Sequence, residues 1–223
     1  GGKSLLQRHL ENLQQMGVTE VAITVGYAAE LIEHALPAST GDLDLELIRN
    51  PDYELGSMVS LWCARDIMTL GEPVLLMDAD VLYSPSILKT LVQSRHASCL
   101  LIDRDFEPGD EPVKVPVRDG IPLDFGKTIS TNAEPDTVGE SVGFFRFSPS
   151  MARQVTERTE HYIRAGKKGA PHEEAIRDLV LSYKGERFGV EDITGQPWIE
   201  IDFPEDVERA RDRILPAIEL SSR

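Results

Sequence analysis

The sequence predicts an α/β fold: a mainly parallel, mixed sheet with helices on both faces and a small β-rich insertion. Three observations predict it. Helical and strand periodicities alternate from Leu5 to Ile102. The apolar run Val74-Leu75-Leu76-Met77 reads as a buried strand that ends on acids, Asp78 and Asp80. In open α/β sheets, ligands bind at the carboxyl edge of the strands. From about residue 104 to 141 the texture turns to Pro, Gly, Asp and charged residues with short alternating pieces, which suggests an insertion or lid.

The elements follow in order. Leu5, Leu6, Leu10, Leu13 and Met16 recur at helical spacing, and Gly17 is the stop. Residues 20–25 form a strand that ends at Gly26. Residues 28–36 form a helix closed by Pro37, and 44–48 a short strand ended by Asn50-Pro51. Gly56-Ser57 opens a helix to about Leu70. Pro85 opens another, at a position proline favours, running to about Arg95, and 97–102 is a strand. Val113-Lys114-Val115-Pro116-Val117 alternates inside the charged segment. Residues 142–147 return to an apolar strand. Residues 149–165 and 171–183 read as helices, and 188–190 and 198–202 as late strands. Pro204 to Ile214 closes the fold, with Glu205 and Asp206 in the first turn, where negative charge is favoured.

A chain of 223 residues fits one domain with a sizeable core. A net charge of −15 argues against a nucleic-acid partner and against an anionic membrane surface. Cys63 and Cys99 lie far apart in apolar runs and read as buried free thiols. No apolar run approaches a membrane span and no signal peptide is visible, so a cytoplasmic location is expected.

Asp78 and Asp80, one residue apart on an extended segment, are expected to point the same way. Desolvating carboxylates costs several kcal/mol unless something positive faces them. An oxygen-only site suits Mg²⁺. The alternative is that the two acids cap the next helix. A second strand, Trp198-Ile199-Glu200-Ile201-Asp202, delivers Glu200 and Asp202 on one face. Asp202 and Asp80 are then strand-end acids expected to converge on one metal, or else Asp202 is a helix N-cap before Pro204. The five histidines are scattered and suggest no triad.

Taken together, Gly2-Lys3-Ser4-Leu5-Leu6, Gly17-Val18-Thr19-Glu20-Val21, Val25-Gly26-Tyr27, Asp78-Ala79-Asp80 and the segment from Trp198 to Asp206 resemble the nucleotidyltransferases, which build NDP-sugars and CDP-alcohols. Asn50-Pro51-Asp52-Tyr53, Ser57-Met58-Val59-Ser60-Leu61-Trp62, Gly139-Glu140-Ser141-Val142-Gly143-Phe144-Phe145 and His172-Glu173-Glu174-Ala175-Ile176 are similar to the branch acting on phosphocholine and 2-aminoethylphosphonate.

The resemblance implies a Rossmann-like sheet and a Mg²⁺-dependent transfer of CMP from CTP to a small phosphorylated or phosphonylated amino alcohol. It implies Asp80 and Asp202 as metal ligands, with Asp78 as an outer ligand. Lys127 is placed near the attacking phosphate, with Lys114 as the alternative basic contact; a solvated surface lysine is the plain reading of Lys127. Ser57 and Ser60 are candidates for nucleotide or substrate contact, although Ser57 also reads as a helix cap. A cationic acceptor is expected to meet carboxylates or aromatic faces. The candidates are Glu140, Glu173, Glu174, Tyr53, Trp62 and Tyr83. Trp62 reads more strongly as core, and Glu173 and Glu174 also read as an ordinary acidic first turn.

The family's opening strand, its Gly-rich loop with Arg and the following Lys are expected upstream of Gly1. Alternative functions are a sugar-1-phosphate nucleotidyltransferase and a non-catalytic ligand-binding relative. A homodimer or fusion to a pathway enzyme is compatible with either.

Overall fold

The computed structural model describes residues 1–36, 43–107, 109–182 and 188–221. Pro37 and Tyr183, expected as helix ends, lie outside the described residues. Ser4 caps helix α1 (Leu5–Gln15) by accepting from the Gln7 amide, the favoured role of an N-terminal serine. One face of α1 buries His9, Leu10, Asn12 and Leu13. Strands β1 (Glu20–Val25) and β2 (Asp44–Arg49) flank α2 (Ala29–Ala35) and pair in parallel.

A 3₁₀ turn at Tyr53–Leu55 leads into α3 (Ser57–Cys63) and α4 (Arg65–Met68). The single helix expected from residue 56 to 70 is therefore broken, at Ala64, where ψ is 4°. Next come β3 (Val74–Met77), β4 (Val81–Tyr83), α5 (Pro85–Val92) and β5 (Cys99–Asp103). Then follow β6 (Lys114–Arg118), β7 (Ile121–Pro122) and β8 (Thr137–Phe147). The chain continues with α6 (Pro149–Arg164), α7 (Glu173–Ser182), β9 (Gly189–Asp192) and β10 (Trp198–Glu200). Beyond α8 (Pro204–Arg209), a π-helical stretch leads into α9 (Leu215–Ser221), so the closing helix runs past Ile214.

The sheet is mixed, and β8 organises it. β8 runs antiparallel to β3, β5 and β6, while β5 pairs in parallel with β9. Its first residues, Thr137 to Glu140, pair with β6, and the rest with β3 and β5. One long strand thus serves both the charged 104–141 region and the central sheet. That is why antiparallel pairing is more prominent than the helix–strand alternation suggested.

Alternate residues of a strand face opposite sides, and here they seed two cores. Leu100 and Ile102 of β5 and Phe145 and Phe147 of β8 pack with Met151, Val155 and Ile176 of α6 and α7. Leu101, Val142 and Phe144 pack with Leu13, Ile87, Leu88 and Leu91 of α1 and α5. Helices on both faces are what this double-sided burial requires. Cys99 is buried and Cys63 partly so, both as free thiols.

Candidate active site

β4 and β10 build the site. They pair antiparallel, with Val81 opposite Glu200 and Tyr83 opposite Trp198. Extending the ladder by one step, the Ile201 amide donates to the Asp80 carbonyl at 3.1 Å. Glu200 and Asp202 flank Ile201 on one side of the chain, so both meet Asp80. Carboxylate oxygens of Asp80, Glu200 and Asp202 all lie within 4.8 Å of one another. Asp80 and Asp202, expected to converge from distant parts of the sequence, are brought together by direct strand pairing.

Asp202 does not cap α8. The N-cap falls on Phe203 with no side-chain cap. Instead Asp206 Oδ2 accepts from the Asp202 and Phe203 amides, at 3.3 and 2.9 Å, holding the chain that carries Asp202.

Asp78 departs from expectation. Residues 78–80 are not extended, because the chain turns at Ala79-Asp80 between β3 and β4. The two-residue repeat that would align Asp78 with Asp80 therefore fails. Asp78 is directed at β8, where Gly143 makes room for it. Gly143 has φ +75°, and a β-carbon there would sit 2.9 Å from Asp78 Cγ. Glu200, not Asp78, completes the carboxylate triple.

The electrostatics are those of clustered negative charge. Burial pushes the Asp78 carboxyl up to about 8, helped by Glu173, Asp80 and Glu200. Burial, Asp202 and Asp80, with Glu140 and Glu173 behind them, push Glu200 up to about 7. Asp80 is raised in the same way, by burial and by Asp202. Glu140 is raised by burial and by Asp103, with Lys114 opposing. Like charges this close raise one another's pKa, and a cation among them favours the ionised forms.

The other expected residues divide clearly. Glu140 and Glu173 both act on Glu200, and Glu173 also on Asp78, so both belong to the acidic cluster. Glu174 faces Arg177 at 3.7 Å instead. Lys127 is exposed, paired with Glu111 at 2.7 Å, and feels Glu173 and Glu200. Lys114 is tied to the backbone, donating to the Gly109 and Lys127 carbonyls at 2.7 and 3.1 Å. Ser57 does not cap α3; its Oγ accepts from the His172 amide at 2.9 Å. Ser60 accepts from the Asn50 side chain at 3.0 Å.

Tyr53 stands partly exposed against Gly26 and 6.2 Å from the Tyr27 ring. One aromatic expectation does not hold as a ligand contact: Tyr83 is 3 % exposed and packs into the core against Phe144. Trp62 carries the Arg65 guanidinium over one face of its ring, 4.8 Å from the centroid.

Three features escaped the sequence reading. His172 is buried, its Nδ1 lies 3.2 Å from Glu173 Oε2, and its Nε2 has no hydrogen-bond partner among the described residues. Asp124, fully buried, accepts from the amides of Phe125, Ser130 and Thr131 and from the Arg177 fork. His9 reaches the Ala79 carbonyl. Only the His-Glu-Glu run carried any sequence signal for these. The rest depend on contacts between residues remote in the chain.

Residues 1–140 match the MobA-like NTP transferase domain. The chain belongs to that family. CMP-5'-(3-aminopropyl)phosphonate synthase of Streptomyces rubellomurinus is 24 % identical over 219 residues, which cover 96 % of this chain and 34 % of that protein. CTP:phosphoglutamine cytidylyltransferase of Campylobacter jejuni is 21 % identical, covering 92 % and 86 %. A bifunctional IPC transferase and DIPP synthase of Thermococcus kodakarensis is 29 % identical, covering 94 % and 44 %. The chain thus spans about a third of the first relative and under half of the third. Among solved structures, the inositol-1-phosphate CTP transferase of T. maritima superposes with a TM-score of 0.74 at 20 % identity, covering 98 % of this chain and 84 % of that one. The CTP:phosphocholine cytidylyltransferase of Streptococcus pneumoniae gives 0.71 at 17 %, covering 95 % and 86 %. At these identities the structural likeness speaks for the fold. No helix among the described residues is long and apolar enough to cross a membrane.

Proposed function

We propose that this chain is a cytidylyltransferase that transfers CMP from CTP to a small phosphorylated or phosphonylated amino alcohol and releases pyrophosphate. One observation carries the reading: Asp80, Glu200 and Asp202 gather three carboxylates within 4.8 Å, and burial with their mutual repulsion raises Glu200 to about 7. An oxygen-only donor set of this kind fits Mg²⁺. When bound there, Mg²⁺ neutralises charge on the phosphates and aligns them.

In the reaction, an oxygen of the acceptor phosphate or phosphonate attacks the α-phosphorus of CTP. That P–O bond forms as the bond from the α-phosphorus to the α,β-bridging oxygen breaks, and the electron pair leaves with pyrophosphate. The residues serve this by position and charge. Asp80, Glu200 and Asp202 hold the cation. Lys127, released from Glu111, offers its ammonium to the attacking phosphate. Asp78, Glu140 and Glu173 form an acidic wall suited to a protonated amine, with His172 Nδ1 beside Glu173 at 3.2 Å. A relative named for an aminopropylphosphonate product supports a phosphonylated amine as acceptor, and one named for phosphoglutamine supports CTP as the donor.

The test is incubation with each NTP and with phosphocholine, 2-aminoethylphosphonate, inositol 1-phosphate or glucose 1-phosphate, followed by pyrophosphate detection. Release with CTP and an amino-alcohol phosphate or phosphonate is expected. Turnover confined to a sugar phosphate would overturn the assignment.

A further inference from the structure

The turn that carries Asp80 takes a hydrogen bond from a different element at each of its three residues. The Asp78 amide donates to the Gly143 carbonyl of β8 at 3.2 Å. The Asp80 carbonyl accepts from the Ile201 amide beyond β10 at 3.1 Å. Between them, the Ala79 carbonyl accepts from His9 Nε2 of α1 at 3.2 Å, across 70 residues of sequence. The first two anchors are backbone to backbone, and only proline, which lacks the N–H, would delete their donors. The third is a side chain.

His9 is built for this contact. It is 8 % exposed, on the inner face of α1. Its ring lies 5.2 Å from that of Tyr83 and 6.2 Å from that of Phe144, and those two rings meet edge-on at 4.8 Å. Tyr83 ends β4, the strand that starts immediately after Asp80. Phe144 follows Gly143, the residue that accommodates Asp78. The imidazole is therefore wedged between the two strands that border the acids. Burial also drives its pKa down to about 4, so at neutral pH the ring is uncharged and donates through Nε2–H.

We propose that His9 is a positioning residue for the divalent-cation site: its hydrogen bond to Ala79 fixes the turn that sets Asp80 against Glu200 and Asp202. This rests on the cation reading given above. The carboxylates of that cluster repel one another, so a loosened turn lets Asp80 drift away, and a cation must then gather the ligands again. Outer partners that orient metal ligands are typically worth 10–100-fold in metal affinity.

The experiment uses the whole chain and Mn²⁺, whose free-ion electron paramagnetic resonance signal disappears on binding. Wild type is compared with His9→Phe, which keeps a ring but loses the donor, and with His9→Gln, which keeps a donor of similar reach. Mn²⁺ affinity is expected to fall about tenfold in His9→Phe and to stay within about threefold of wild type in His9→Gln, with similar far-UV circular dichroism in all three. If His9→Phe does not fold, His9→Leu removes the same donor and is read in the same way. Wild-type affinity in the donorless variant overturns the proposal, as does equal weakness in both variants. A wild-type protein whose Mn²⁺ binding is absent, or indifferent to Asp80→Ala, overturns the cation site itself and is distinguishable from either result.

Discussion

Asp124 and Asp78 are both acids drawn into the protein, and their surroundings treat them in opposite ways. Asp124 lies under the 123–131 loop with no accessible surface. Burial pushes its pKa up, but the Arg177 fork and the amides of Ser130 and Phe125 outweigh that and hold it below the usual carboxylate range. Asp78 receives no such help. Its neighbours are Glu173, Asp80 and Glu200, and its pKa rises to about 8. The protein completes the first site and leaves the second in need of positive charge. A buried acid finished by protein groups is a strut, whereas clustered acids left unfinished are where a cationic ligand is to be sought.

The contrast makes opposite demands on substitutions. The largest effect is expected at Asp80. Asp80→Ala should lower pyrophosphate release by about 10²–10³-fold, the range for losing one group aimed at transition-state charge. It should leave the denaturation midpoint unchanged or slightly higher, because a repelling charge is gone. Wild-type turnover would remove Asp80 from the site.

Asp124→Ala should do the reverse. It removes the acceptor of the Arg177 fork, leaving Arg177 with Ser130 Oγ and the longer contact to Glu174, and takes the acceptor from three backbone amides of the loop. Breaking a buried pair from one side costs about 3 kcal/mol, measurable by denaturant titration. If Asp124→Ala proves as stable as wild type, the strut interpretation fails, and with it half of the comparison.

Gly143→Ala tests the Asp78 side. The added carbon would collide with the Asp78 carboxylate, and φ at this position is +75°. A non-glycine residue held in that region costs about 1–3 kcal/mol, and the displaced Asp78 should also weaken divalent-cation binding. Unchanged stability would mean that β8 yields more readily than its central place in the sheet implies.

These positions also mark how far the sequence could be read. The alternation of elements was legible because both faces of β5 and β8 bury apolar side chains, so periodicity reported burial directly. The convergence of Asp80 and Asp202 was legible as two apolar strands that run into acids. The turn at Ala79-Asp80 was not, because nothing in Asp-Ala-Asp distinguishes a turn from an extended end. That cost the placement of Asp78 and hid Glu200 as its replacement. Asp124, Arg177 and His9 were invisible for a different reason. Their roles are contacts across 53 and 70 residues, and no local pattern encodes the partner. Tyr83 misled because a tyrosine beside two acids looks like a ligand contact, yet its place in the ladder with Trp198 turns it inward.

The raised carboxyls give the comparison a pH signature. Asp78 and Glu200 titrate near 8 and 7 in the folded chain, against about 4 when unfolded. Between these values the folded state holds more protons, so stability falls as pH rises. The contribution is complete below about pH 4 and lost by about pH 8. Denaturant titrations in EDTA at pH 5.5, 7 and 8.5 should show this decline. Added Mg²⁺ should flatten it, because bound metal stabilises the ionised ligands, and Asp78→Asn should shrink it. A flat EDTA series would mean that water reaches these carboxylates freely.

The smallest effect concerns Lys127. Its partner Glu111 is solvent-exposed, and pairs of that kind contribute little to stability. Glu111→Gln should therefore leave the thermal midpoint where it is. Turnover should hold or rise slightly, since the ammonium is then free to answer the pull of Glu173 and Glu200. Lys127→Ala should lower kcat/KM about tenfold, the loss of one charge-assisted hydrogen bond to a phosphate. The pair of variants separates two accounts of the same lysine. If Glu111→Gln reproduces the loss seen in Lys127→Ala, the site needs the intact ion pair to hold the loop, and Lys127 belongs with Arg177 among the struts. If only Lys127→Ala loses activity, its charge belongs to the unfinished half of the molecule, where it acts on Glu173 and Glu200.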